Sequence, residues 1–118
     1  MTKKKIFDLE ERTAKFGEKI IEFVSKLPKN EVTRPLIIQL VKCATSVGAN
    51  YCETDDAESP RDFKYKIGIC KKESREAKHF LRMLAKAVDG KKSQARELWK
   101  EAKELNLIFN SIYRKVKN

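Results

Sequence analysis

The chain has 118 residues, with 27 Lys+Arg against 17 Asp+Glu, a net charge of +10 and 41% hydrophobic residues. That length suits one domain over residues 1–118 with one core, and four Gly and three Pro are too few for the dense turns of a sandwich or barrel. No stretch of about 20 residues is free of charge, which excludes a helical membrane span.

Residues 1–6 carry Lys3, Lys4 and Lys5 and read as a basic N-terminal arm. Ile6 and Phe7 are followed by acidic residues and no apolar run, so no secretory signal is expected. Three cysteines, Cys43, Cys52 and Cys70, are odd in number and form no CxxC pair. Free, mostly buried thiols in a reducing cytoplasm are the expectation.

The first helix is predicted over about 7–27. Leu9, Phe16, Ile20, Phe23 and Leu27 recur with spacings of three and four multiples and so share one face. Leu27-Pro28-Lys29-Asn30 breaks it. Thr33 then reads as the N-cap of a second helix over about 34–56, with Pro35 in its first turn. Ile37, Leu40, Val41, Ala44, Val47, Gly48 and Tyr51 form its apolar face. Ser59-Pro60-Arg61-Asp62 is a third start signal, combining a hydroxyl cap, an N1 proline and a first-turn acid.

The third helix, about 60–89, carries Phe63, Ile67, Cys70, Ser74, Ala77, Leu81, Leu84 and Val88 in strict alternation of four and three. Gly90 reads as its stop. The fourth, about 93–116, carries Ala95, Leu98, Ala102, Leu105, Phe109, Ile112 and Val116. Seams of period 3.5 joined by short loops predict an all-α fold, an antiparallel up-down four-helix bundle with left-handed packing.

Divided by segment, the charge is uneven. The arm carries three positive charges, while the first helix and the second helix with its tail are net negative. The third helix holds nine basic and four acidic residues, and the fourth with its leader holds eight and three, so each is +5. On a wheel of about 100° per residue, Lys64, Lys71, Arg75, Lys78, Arg82 and Lys86 fall within about 40° of one line. Glu73, Glu76 and Asp62 lie elsewhere. The line runs roughly 33 Å at the helical rise, enough for several phosphates of one strand. Lys91, Lys92, Arg96, Lys100 and Lys103 extend the basic surface onto the fourth helix.

The second helix is the reverse case, since between Leu36 and Cys52 its one charged residue is Lys42. A helix uncharged nearly all round is buried on more than one side. Its far face, with Gln39, Cys43, Ser46, Asn50 and Glu53, is therefore the expected interface of a homo-oligomer.

No catalytic or metal constellation emerges. Glu76 and His79 have the spacing of carboxylate-bridged di-iron bundles, but His79 is the one histidine, so the required second pair is absent. The cysteines do not supply a zinc set. No nucleophile–base–orienter set and no glycine-rich phosphate loop is present. Neither an enzyme nor a cofactor is expected. Gly68 stands inside the third helix, where glycine costs roughly 1 kcal/mol against alanine and admits a close neighbour. Trp99, Tyr65 and Tyr113 supply aromatic surface without the stacking pair of single-strand readers.

Pro35-Leu36-Ile37-Ile38-Gln39-Leu40, Ala44-Thr45-Ser46-Val47-Gly48-Ala49-Asn50-Tyr51-x-Glu53 and Asp62-Phe63-x-x-Lys66-Ile67-Gly68-Ile69-x-Lys71-Lys72-Glu73 resemble the four-helix-bundle proteins encoded in intervening sequences of bacterial 23S ribosomal RNA genes. Those proteins are similar to the accessory proteins of diversity-generating retroelements. The resemblance implies a small non-enzymatic bundle, often a ring-like homopentamer, with a positive surface that takes RNA or DNA. Ser46, Asn50, Glu53, Lys66, Lys71 and Glu73 match its signature positions. Cys52, where a basic residue is common, and His79-Phe80, where a larger aromatic pair is usual, depart from it.

Two functions are thus expected of different classes. One is non-catalytic binding of nucleic acid, RNA favoured, by a homo-oligomer. The other is an oligomeric scaffold that docks an acidic protein partner such as a polymerase.

Overall fold

The computed structural model describes residues 2–117, with the side chains of residues 9–117. Lys3–Lys5, expected as an arm ahead of the first helix, fall within its backbone, and their side chains lie outside the described ones. Four helices follow in order: α1 (Thr2–Ser25), α2 (Thr33–Cys52), α3 (Pro60–Ala87) and α4 (Lys92–Lys115). A 3-10 turn over Glu53–Asp56 extends α2. Among the described residues there is no strand, and the fold is all-α.

The starts of the helices have identifiable causes. At α3 the Ser59 Oγ accepts from the Asp62 N–H at 3.0 Å, while Asp62 accepts from the Glu58 N–H at 3.2 Å. This is the expected cap. At α2 the cap is Asn30 rather than Thr33. The Asn30 Oδ1 accepts from the N–H groups of Val32 and Thr33, both at 2.9 Å, and Thr33 Oγ1 accepts in return from the Asn30 N–H at 3.0 Å. Thr33 is the reciprocal partner in a capping box, and it is fully buried, its hydroxyl donating to the Pro28 carbonyl at 2.7 Å. Gly90, with φ of +80°, occupies the turn two residues beyond the Val88 C-cap.

Every seam read from the periodicity faces inward. Phe16, Ile20, Leu40, Val47, Ile67, Leu81, Leu84, Leu105 and Phe109 are among the largest fully enclosed side chains. α3 is the central element, packing most extensively on α4 and α2, while α1 lies on α2 and touches α4 least.

Contacts between neighbours fix their directions. Glycines thin the α1–α2 contact: a Cβ at Gly48 would stand 3.4 Å from the Thr13 backbone, and one at Gly17 would stand 3.6 Å from Thr45. Between α2 and α3, the Cys70 thiol points at the Val47 carbonyl at 3.5 Å and Lys66 reaches Glu53 at 3.7 Å. In both pairs later residues of one helix meet earlier residues of the next, so they run in opposite directions. α1 is tied to α4 by Arg12, whose guanidinium donates to both Glu101 oxygens at 2.7 and 2.8 Å. That bond first, and then the nearby carboxylates, raise the Arg12 pKa further.

Candidate nucleic-acid interface

The three kinds of residue on α3 are sorted by angle, and each meets a different neighbour. The apolar seam faces the core. The carboxylates turn toward α2, where Glu73 lies against Ser46 and Glu76. Burial, and then the hydrogen bond shared with Glu76, hold the Glu73 carboxyl above its ordinary range. Lys64, Lys71 and Lys78 turn toward α4.

On that side the register repeats every seven residues. Lys64 and Lys71 both place their ammonium groups over the Tyr113 ring, at 4.7 and 4.4 Å from its centre. Asn106 Nδ2 donates to the Lys71 carbonyl at 2.8 Å and to Ser74 Oγ at 3.2 Å. Lys78 lies over Trp99 at 5.7 Å, with Lys103 of α4 over the same ring at 5.6 Å. Lys64, Lys71 and Lys78 on α3 thus descend against Tyr113, Asn106 and Trp99 on α4, which shows that these helices run in opposite directions. Cation–π contacts outside a desolvated core are worth about 0.5–1 kcal/mol each. They spread the lysine stems across the helix junction and fix where the charges sit.

Gly68 belongs to this arrangement. A Cβ there would come within 3.2 Å of Tyr113 Cε2, so its bare backbone seats the ring between the two lysines. The close neighbour that Gly68 admits is therefore a side chain of α4.

Of the sequence-derived cations, Arg75, Arg82, Lys86, Lys92, Arg96, Lys100 and Lys103 are exposed, while Lys64, Lys71, Lys78 and Lys91 are half-buried. Among the described residues, Lys100 alone of these has a carboxylate within ion-pair distance, Glu97 at 3.5 Å. By contrast Lys66, on the α2 side of α3, is held by Glu53 and Asp62. The basic face is single-signed because the acids of α3 project away from it.

Arg82, Lys92, Arg96 and Lys100 also border a groove of about 420 Å³ between α3 and α4, floored by Leu81, Ala85, Ala95 and Trp99. This combination of an indole, apolar floor and cationic rim was not legible as an aromatic site in the sequence. Trp99 has no aromatic neighbour in the chain, and its setting comes entirely from the α3–α4 register.

The residues expected at a subunit interface separate. Gln39 and Glu53 are exposed. Ser46 and Asn50 are half-buried and joined to each other, Asn50 Nδ2 donating to the Ser46 carbonyl at 2.8 Å and hydroxyl at 2.9 Å. Cys43 is a correction. It is only 3% exposed and enclosed by the chain's own core, where burial pushes its thiol up to about 12. The packing of α3 against α2 is wider than the apolar seam alone implies. The outward strip of α2 is instead Ile38, Lys42, Thr45, Ala49 and Cys52, and its later half lies beside Gly17 and Ile21 of α1 together with the carboxylates Glu10, Glu11 and Glu18.

Among the described residues, no group of three or more His, Cys, Asp or Glu is placed to hold a metal ion. Nor, among the described residues, is any helix long and apolar enough to cross a membrane.

The model of the 23S rRNA-intervening sequence protein family matches residues 7–111. The chain belongs to that family. A crystal structure of a protein of unknown function from the S23 ribosomal protein family of Bacteroides thetaiotaomicron superposes with a TM-score of 0.79 at 26% identity, covering 90% of this chain and 98% of that one. No curated protein matches the sequence. Of the residues that carry the resemblance, Ser46, Asn50, Glu53, Lys66 and Glu73 gather at the α2–α3 junction, whereas Lys71 stands with the cations on the opposite flank of α3.

Proposed function

We propose that the protein is a non-catalytic, homo-oligomeric bundle that binds nucleic acid, RNA in preference, by cradling phosphates on the α3–α4 face. The observation that carries this reading is the separation of charge on α3. Lys64, Lys71, Arg75, Lys78, Arg82 and Lys86 share one flank, and among the described residues none has a carboxylate within 4.0 Å. A face kept only for solubility mixes both signs. Here Lys64, Lys71 and Lys78 are held over aromatic rings at fixed positions, and among the described residues no carboxylate competes there with an external anion. Contacts of this type set position on a backbone and carry little base information. Self-association through the outward face of α2, which carries Lys42 as its one charge, arrays several such faces and multiplies the attraction for a polyanion.

The test is the combined substitution of Arg75, Lys78 and Arg82 by Gln. Each lost phosphate contact lowers the slope of log affinity against log salt by about 0.7–0.9. The triple variant should therefore bind every RNA sequence more weakly, with a slope shallower by roughly 2–3. Unchanged retention of RNA by this variant refutes the assignment of the face. The second reading, docking of an acidic protein, is separated by pull-down from nuclease-treated and untreated lysate, because only direct protein docking survives nuclease.

A further inference from the structure

The groove between α3 and α4 has a specific origin. Steps of seven along α3 bring Lys64, Lys71 and Lys78 against Tyr113, Asn106 and Trp99 in turn. The next step reaches Ala85, which lines the groove together with Lys92. Where the first three positions fill the junction with a lysine stem, alanine leaves it open, and Ala95 on the facing helix is equally small. The result is an apolar slot of about 420 Å³ with one wall made by the Trp99 indole. Its rim carries Arg82, Lys92, Arg96 and Lys100, and Lys78 and Lys103 stand over the indole. Of the rim cations Lys100 is drawn to Glu97, through an exposed pair worth little.

Apolar walls ringed by cations are complementary to a ligand with a flat, weakly polar body and attached anions. A solvated basic face needs no such slot, and a duplex backbone has no group to place in it. An unpaired nucleotide has both parts. We infer that the α3–α4 groove receives an unpaired base of a single-stranded RNA segment, stacked on Trp99, while Arg82, Arg96 and Lys92 hold the phosphates on either side. This rests on the proposed RNA binding and refines it. The basic face supplies general attraction, and the groove selects loops, bulges or ends over uninterrupted duplex.

Trp99 is the single tryptophan of the chain, so its fluorescence reports the groove directly. The intact protein is titrated at fixed salt with three probes: r(U)12, an abasic 12-mer of equal charge, and a blunt 12-base-pair RNA duplex. Binding is followed by anisotropy of labelled probes and, separately, by indole emission. Only r(U)12 should quench Trp99. Trp99→Leu should weaken r(U)12 binding by roughly 5- to 150-fold, the range for one stacked base, and leave the abasic strand unaffected. Ala85→Phe, which fills the slot and retains the indole and every cation, should reproduce the loss for r(U)12 should Trp99→Leu fail to fold.

Equal affinity for r(U)12 and the abasic strand, with neither quenching and with Ala85→Phe changing neither, overturns the groove assignment while the basic-face reading stands. Absence of binding by all three probes overturns both. Quenching by polyglutamate as strong as by r(U)12 overturns the assignment in favour of an acidic peptide.

Discussion

The thiols offer a test of how α2 is packed. Cys43 and Cys70 are 3% and 0% exposed, whereas Cys52 stands at the surface beside α1. Burial raises both enclosed thiols from the ordinary 9.0 to about 12. Since the thiolate is the reacting species, that rise alone lowers the reactive fraction at pH 8 by about a thousandfold, and steric enclosure slows attack further. Titration with a chromogenic disulfide reagent at pH 8 should release one equivalent rapidly from dilute native protein, and two more only after unfolding in guanidinium. Cys52→Ser should remove the fast equivalent and leave the slow two. If subunits meet through the outward face of α2, the rate at Cys52 should also fall as protein concentration rises. A fast equivalent persisting in Cys52→Ser would place Cys43 or Cys70 at the surface and refute the α2–α3 packing described above.

Three further outcomes follow from named contacts. A double-mutant cycle on Arg12→Ala and Glu101→Ala should give a coupling of about 0.5–1 kcal/mol in urea unfolding, reduced at about 1 M salt, because the two-pronged pair is one-third exposed; zero coupling contradicts a role in closing α1 on α4. Glu73 has a raised folded value, so the folded state holds its proton more tightly than the unfolded one. Its contribution to stability is then full below the ordinary carboxyl value of 4.5 and lost as pH rises through the raised value. Glu73→Gln should accordingly raise the melting temperature at pH 7 and leave it unchanged at pH 4; an equal shift at both values contradicts it. Gly68→Ala should gain up to ~1 kcal/mol of helix propensity, because the half-exposed Tyr113 ring in the last turns of α4 tilts to admit the methyl group 3.2 Å away. A lower urea midpoint for Gly68→Ala shows instead that the ring cannot move, and Gly68→Leu should destabilise in either case.

The sequence reading succeeds where one helix decides the outcome by itself. The seam of α3 from Ile67 to Val88 is buried throughout, and Ser59 caps as its position indicates. At the start of α2 two local signals compete. Asn30 and Thr33 are both good capping residues three positions apart, and only the bonding shows that the asparagine caps while the threonine answers it from inside. The reading fails where the result depends on how far a neighbour reaches across. Cys43 lies off the centre of the apolar face of α2, and periodicity gives an angle without the width of the contact. The same holds for the candidate interface. The basic line on α3 was visible, but its support by Tyr113 and Trp99 and the open slot at Ala85 depend on the register between α3 and α4, which no pattern within either helix specifies.

The central claim is that arrayed α3–α4 faces retain a polyanion by charge. Mass-resolved size exclusion of the purified protein, alone and with RNA, at about 50 and about 500 mM salt tests it most directly. Without RNA the account predicts a multiple of the 13.7 kDa chain mass at both salts. With RNA it predicts a joint complex at low salt that separates at high salt, following the steep loss of phosphate contacts with ionic strength. RNA and protein eluting apart at both salts, or a single 13.7 kDa species throughout, would contradict it.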